Sequence, residues 1–142
     1  MAGTSTVRTM KHLLTMTAVI ELGAGLVLIC HPSAAVALLL RASLESPAAI
    51  TLGRVAGVAL LALGVACWFA KHDAQSGAAR GVVMAMTVYN LGAVVVLGLA
   101  GMQSRPVGVA LWPAVVLHAI MAAWCVEALL SRPAHLPSPK VQ

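Results

Sequence analysis

The sequence predicts an all-α integral membrane protein, a bundle of four helices that each cross the bilayer. Of its 142 residues, 61% are hydrophobic and only 9% are charged. An ordinary soluble domain carries about 25% charged residues, so this chain has too little polar surface to cover a water-soluble globule. The mean hydropathy is +0.96. Four apolar segments follow one another, each near the ~20 residues that a helix needs to cross a ~30 Å hydrocarbon core.

The four segments are separated by prolines or by polar residues. Backbone groups in lipid must be hydrogen-bonded within their own segment, so apolar runs of this length are predicted to be helices. We predict these helices over residues 13–30, 48–70, 81–102 and 107–130. Residues 1–132 are predicted to form a single domain, and the proline-containing stretch 133–142 is expected to be a disordered cytoplasmic tail.

The first connection, between the first and second segments, holds a further apolar run, AAVALLL at 34–40. This run is too short to span a bilayer. We expect it to form a short interfacial helix that lies at the membrane surface or folds back against the bundle.

A weak internal repeat relates the two halves of the chain. ELGAGLVL at 21–28 recurs as NLGAVVVL at 90–97, and ACW at 66–68 resembles AAWC at 122–125. Both halves would have the same orientation, which makes this a parallel two-plus-two repeat. Such echoes arise readily by chance in a chain rich in Ala, Val, Leu and Gly, so the repeat is a hypothesis.

Lysine and arginine predict the orientation in the membrane. They sit singly at the ends of the apolar segments, which argues against nucleic acid as a partner and for a role as topology signals. The asymmetry predicts that both termini and the loop between the second and third segments lie in the cytoplasm. The cytoplasmic side would carry Arg8, Lys11, Lys71, Arg80, Arg132 and Lys140, and the outer side Arg41 and Arg105.

A cleaved signal peptide is the alternative for the first segment. Its basic start, its apolar body and the small residues at 33–35 fit such a peptide. The length of the apolar body and the carboxylate of Glu21 within it argue for a retained helix.

Each predicted helix carries a strongly polar side chain away from its ends. These are Glu21, Arg54, Asn90 (with Tyr89 beside it) and His118. A charge at the bilayer centre costs about 2.5–3.5 kcal/mol, so these side chains are expected to face one another. At ~1.5 Å per residue, Glu21 and Arg54 lie about 13 Å and 9 Å from the outer boundary. We therefore predict a Glu21–Arg54 ion pair, with Asn90 and His118 as further hydrogen-bond partners.

Two interpretations of this polar set stay open. An internal pair can fix the register of the helices, and Tyr89, Asn90 and His118 can serve only as hydrogen-bond partners. Ionisable groups inside a membrane also mark ligand or proton sites, which makes the set a candidate site.

Several classes of site are disfavoured. Cys30 lies at the opposite end of the bundle from Cys67 and Cys125, too far for a disulfide with either. His118 is the central histidine and has no second histidine at its depth, so neither a haem nor a metal site is predicted. No catalytic residue and no cofactor is assigned, and whether the protein has any enzymatic activity stays open.

Three stretches carry a resemblance to a known group. They are ELGAGLVLICHP at 21–32, GRVAGVALLALGVACW at 53–68 and WPAVVLHAIMAAWC at 112–125. With them the chain resembles small four-helix bacterial inner-membrane proteins of the DoxX-like and related groups. The resemblance implies the four-helix fold and a role beside redox or quinone-linked partners, and it transfers no catalytic residue.

Two functions are therefore expected as rivals. The favoured one is a non-enzymatic subunit or scaffold of a membrane complex, with a membrane-protein partner or a second copy of the chain. The alternative is a small proton-linked transporter or a protein that binds a lipophilic, quinone-like ligand through Glu21. Small multidrug-resistance exporters share the size and the lone carboxylate, but this chain has few aromatic residues to hold a lipophilic cation.

Overall fold

The computed structural model describes residues 2–103 and 106–131 of the chain. Within these residues it contains five α-helices and one short 3₁₀ helix, and it has no β-strand there. The α-helices are α1 (Ala2–Cys30), α2 (Pro32–Leu40), α3 (Pro47–Ala70), α4 (Gly77–Gln103) and α5 (Leu111–Leu130), with the 3₁₀ helix at Lys71–Asp73.

Four of these elements are long and apolar enough to cross a membrane. The candidate spans are Thr6–Cys30, Pro47–Asp73, Gly77–Gln103 and Leu111–Leu130. Large apolar side chains are exposed along them, including Leu52, Phe69 and Val88. An exposed apolar surface of this extent is typical of lipid contact. The predicted all-α fold with four long apolar helices is confirmed, and these helices are candidates for membrane spans.

The first helix begins earlier than predicted, at Ala2 instead of residue 13. The preceding residues 4–12 contain neither proline nor glycine, so nothing in them stops the helix from continuing into the polar segment. The predicted tail at 133–142 lies outside the described residues.

The apolar run of the first connection forms α2, which is folded back onto the start of α5. The backbone amides of Gly108 and Ala110 donate hydrogen bonds to the carbonyls of Leu39 and Leu38, at 3.1 and 3.0 Å. A Cβ atom on Gly108 would collide with the Leu38 carbonyl, so the close approach requires glycine there. These bonds occupy the backbone before Leu111, which explains why α5 begins later than predicted. The position of α2 relative to the membrane surface stays a prediction.

The helices associate as two pairs. α1 packs along α3 and α4 along α5, whereas contacts between the pairs are much sparser. In the first pair the backbones nearly touch, since a Cβ atom on Gly25 would lie 2.7 Å from the Gly57 carbonyl oxygen. A Cβ atom on Gly57 would lie 2.8 Å from the Gly25 carbonyl oxygen. Small residues permit such an approach. Each pair corresponds to one half of the predicted repeat, which itself stays a prediction.

The buried core lies at one end of the bundle, which we call the core end; the end that carries α2 is the α2 end. The core combines the first half of α1, the last half of α3, the first half of α4 and the last half of α5. Its members include Leu13, Leu14, Cys67, Val83, Met86 and Cys125. All four long helices meet there. Toward the α2 end a partly open cavity lies between the two pairs.

Candidate functional site

The candidate site is a cavity of about 660 Å³ between the two helix pairs. Most of its wall comes from α1, α4 and α5, and Leu39 of α2 and Leu60 of α3 complete it. Its volume falls within the range of roughly 300–1,000 Å³ that is typical of small-molecule sites. The wall is almost entirely apolar, with side chains such as Leu28, Val96 and Leu97.

Three polar side chains line the cavity, Glu21, Tyr89 and His118. They lie toward the core end, because Glu21 follows the core residue Ala18 by one helical turn and Tyr89 itself packs on the core. Leu97, eight residues after Tyr89 on α4, lies about 12 Å further toward the α2 end at 1.5 Å per residue. The cavity is therefore polar at the end nearer the core, which we call the polar end, and apolar along the rest.

Glu21 is almost completely buried, with 3% of its surface exposed. Its carboxylate is within hydrogen-bonding reach of the Tyr89 side chain across the two helix pairs. A buried carboxylate without a partner is costly, and the Tyr89 hydroxyl supplies the donor. This contact lies between α1 and α4, so it bridges the two pairs at the point where the cavity begins.

The predicted Glu21–Arg54 ion pair is not supported by the structure. Arg54 is exposed on the surface of α3, and no ion pair between the two side chains is found among the described residues. The register of α1 and α3 explains the separation. Gly25 lies opposite Gly57 in this antiparallel pair. Glu21 is thus level with residue 61, seven residues or about 10 Å along the axis from Arg54.

Asn90 and His118 form the second polar contact of the site. The His118 Nδ1 and Asn90 Oδ1 atoms are 2.8 Å apart, and Asn90 Nδ2 donates to the Met86 carbonyl, also at 2.8 Å. The rings of Tyr89 and His118 meet edge to face, with centroids 5.5 Å apart and planes at 81°. Four of the five predicted site residues therefore form one connected group, Glu21–Tyr89–His118–Asn90.

A second concavity, of about 700 Å³, lies on the outer surface of the α4–α5 pair. Its wall is also apolar, and its polar members are Glu127 and Ser131 at the last turn of α5. The Ser131 hydroxyl already donates to the Glu127 carbonyl at 2.9 Å. Because no buried polar side chains converge there, we consider the cavity between the pairs the better candidate.

The cysteines do not contribute to the candidate site. Cys67 and Cys125 are buried in the core, and Cys30 is exposed near the α2 end. The described residues contain no group of three or more His, Cys, Asp or Glu side chains that could hold a metal ion.

Two parts of the site were missed by sequence reasoning. One is Tyr89 as the partner of Glu21, and the other is the contribution of α2 through Leu39. The pairing of Tyr89 with Glu21 could have been predicted from the two consecutive polar residues Tyr89 and Asn90. They are about 100° apart on α4, so they can face two different neighbouring helices. Gly92 and Ala93 line the cavity one turn later on α4. Their small side chains leave room for the cavity.

Comparison with known proteins assigns the chain to no family. No family model matches it, and no curated protein or solved structure matches it either. The cavity and its polar end are therefore the basis on which a function is assigned.

Proposed function

We propose that this protein binds a small lipophilic molecule within the membrane, in the cavity between its two helix pairs. The observation that carries the proposal is the cavity of about 660 Å³, apolar along its length and lined at its polar end by Glu21, Tyr89 and His118. Ligand sites typically combine a mainly apolar wall with a few convergent polar groups. This proposal is the ligand-binding form of the alternative function expected from the sequence.

The polar end of the cavity argues against the alternative that the cavity is only a packing gap, filled by the tail of a bilayer lipid. An acyl chain would satisfy the apolar wall but would offer no polar group to Glu21, Tyr89 and His118 at the end. Ionisable groups inside a membrane are expensive and mark functional positions more often than structural ones. A molecule with an apolar body and a polar head matches both parts of the cavity.

Filling the cavity from α4 tests this proposal. A Cβ atom on Gly92 meets nothing within 4 Å, and Gly92 lines the cavity. We expect Gly92→Leu to fold normally and to exclude the ligand. Gly98→Leu is the matched control, because a Cβ atom on Gly98 also meets nothing within 4 Å and Gly98 does not belong to the cavity wall.

The measurement is mass spectrometry of lipophiles that are extracted from the three purified proteins in nanodiscs of one defined lipid. The wild type and Gly98→Leu should retain the same non-bilayer molecule, and Gly92→Leu should lack it. Equal retention by all three proteins would contradict binding in this cavity.

A membrane subunit is the second candidate, favoured by the exposed position of Arg54. This arginine lies on α3 beside exposed apolar residues such as Leu52 and Val55. A charge on a surface of this kind is stabilised by a partner helix that carries a carboxylate. The DoxX-like resemblance, with its redox or quinone-linked partners, belongs to this proposal as well.

Native gel electrophoresis after mild detergent extraction tests the second candidate. We expect Arg54→Gln to release a stoichiometric protein partner, or a second copy of the chain. Arg8→Gln, an exposed arginine at the other end of the bundle, should leave that assembly intact. An unchanged complex with Arg54→Gln would remove the observation that favours a subunit.

A further inference from the structure

We infer that the cavity selects a ligand whose head group donates a hydrogen bond, such as a phenol or alcohol hydroxyl, over a head group that only accepts one. This inference rests on the proposed function, because it requires that the cavity binds a lipophilic molecule. It follows from the hydrogen bonds that are already made at the polar end.

The orientation of the Asn90 amide is the first step. Its Nδ2 atom lies 2.8 Å from the Met86 carbonyl oxygen, which can only accept. The opposite orientation of the amide would place two acceptors against each other. Asn90 Oδ1 is thereby directed to the other side, where it meets His118 Nδ1 at 2.8 Å.

The tautomer of His118 follows from that orientation. Asn90 Oδ1 is an acceptor, so His118 Nδ1 must carry the proton of this hydrogen bond. In a neutral imidazole the other nitrogen, Nε2, is then an acceptor without a proton. Nε2 has no hydrogen-bond donor among the described residues. Every fully buried side-chain nitrogen among these residues does have a hydrogen-bond partner, so Nε2 is not fully buried. Nε2 is therefore accessible on a residue that lines the cavity.

The other two polar side chains, Tyr89 and Glu21, lie within hydrogen-bonding reach of each other. A tyrosine hydroxyl has one proton, and that of Tyr89 is directed to Glu21. His118 Nε2 is thus the accessible acceptor at the polar end, and a head group that only accepts would leave it unpaired.

The shape of the cavity fixes how such a ligand lies. The hydroxyl meets the polar end, and the apolar body extends toward α2 past Leu28 and Leu97. The seven residues from Glu21 to Leu28 on α1 provide about 10 Å of apolar wall at 1.5 Å per residue. A para-alkylphenol of moderate chain length has these proportions.

A matched pair of probes tests the inference, namely para-heptylphenol and its methyl ether. The two molecules have the same ring and the same chain, and the ether carries a methyl group in place of the hydroxyl proton. Both are radiolabelled and titrated into the full chain in nanodiscs, and the Gly92→Leu variant in the same lipid measures partitioning into the bilayer. We expect the phenol to bind about tenfold more tightly than the ether, which corresponds to about 1.4 kcal/mol.

The variant His118→Phe assigns the preference to its residue. It keeps an aromatic ring in the contact with Tyr89 and removes Nε2. We expect it to bind the phenol as weakly as the ether, with the affinity for the ether unchanged. His12→Phe, at an exposed histidine outside the cavity wall, should keep the preference of the wild type.

Nuclear magnetic resonance of isotope-labelled histidine in the wild-type protein provides a readout that needs no variant. We expect the Nδ1-protonated tautomer of His118, with the Nε2 signal displaced when the phenol binds. An Nε2-protonated tautomer, or equal affinities for the two probes that Gly92→Leu abolishes, would overturn the donor preference and leave the proposed function intact. Binding of neither probe above the Gly92→Leu background would overturn both.

Discussion

At the scale of single residues, the central result is that the buried carboxylate has a neutral partner. Glu21 lies within hydrogen-bonding reach of Tyr89 on α4, and no ion pair with Arg54 on α3 is found among the described residues. The sequence showed which residue types had to be satisfied, because polar groups inside an apolar segment are costly wherever they point. It did not show which pair forms, because that depends on the Gly25–Gly57 register, and depth counted from a loop boundary misses such a register by a helical turn or more.

A double-mutant cycle distinguishes the two pairings. Tyr89→Phe should destabilise the protein by about 1.5–3 kcal/mol, since it removes a hydrogen bond to a buried carboxylate. Its effect should be strongly non-additive with that of Glu21→Gln, because both changes break the same contact. Glu21→Gln and Arg54→Gln should instead add to within about 0.5 kcal/mol, as expected of separated sites. The free energy of unfolding is measured by heat and by denaturant in one detergent for the three single and the two double variants. A non-additive effect of the Glu21 and Arg54 changes would support the ion pair instead.

At the scale of elements, the sequence predicted which segments form helices, but it did not predict how these helices pack against one another. The apolar runs predicted every long helix, because the length of a bilayer and the need to satisfy the backbone leave few alternatives. The start of α5 was predicted too early, since the preceding backbone bonds to α2, which is about 70 residues away in the chain. Such a long-range contact leaves no local pattern apart from the glycine at 108.

The close seam between α1 and α3 predicts a strong difference between two glycine substitutions. Gly57→Ala places a Cβ atom 2.8 Å from the Gly25 carbonyl oxygen and 3.0 Å from the Ile29 amide nitrogen, so the helices must separate. Overpacking of this kind typically costs about 1–3 kcal/mol.

Gly23→Ala is the control on the partner helix, where a Cβ atom meets nothing within 4 Å. This change should be neutral or slightly stabilising, because alanine is the better helix former. Unfolding midpoints of the two variants in the same detergent make the comparison. Equal midpoints would mean that the two helices do not approach each other through this seam.

At the scale of the whole molecule, the two helix pairs meet at the core end and leave a partly open cavity between them toward α2. The sequence indicated four of the residues that come together, Glu21, Tyr89, Asn90 and His118, because each is polar within an apolar segment. It could not indicate the cavity, which is a property of how two pairs pack and not of any one segment. The small residues Gly92 and Ala93 are compatible with a tight seam as well as with an open space, and only the packing of α4 away from α1 distinguishes the two.

The orientation of the whole molecule in the membrane is the remaining prediction. Lys71 and Arg80 flank the connection between α3 and α4, and such residues favour the cytoplasmic side. In a background with Cys30→Ser, which removes the exposed native thiol, we introduce Gln75→Cys in that connection and Ala42→Cys after α2, both at exposed positions. A membrane-impermeant maleimide added to intact cells should label the cysteine at position 42 and not the one at 75, and permeabilised cells should show both. Labelling of position 75 from outside would show that the molecule has the opposite orientation. Because the cavity extends from the middle of the helices toward α2, it would then lie in the cytoplasmic half of the bilayer.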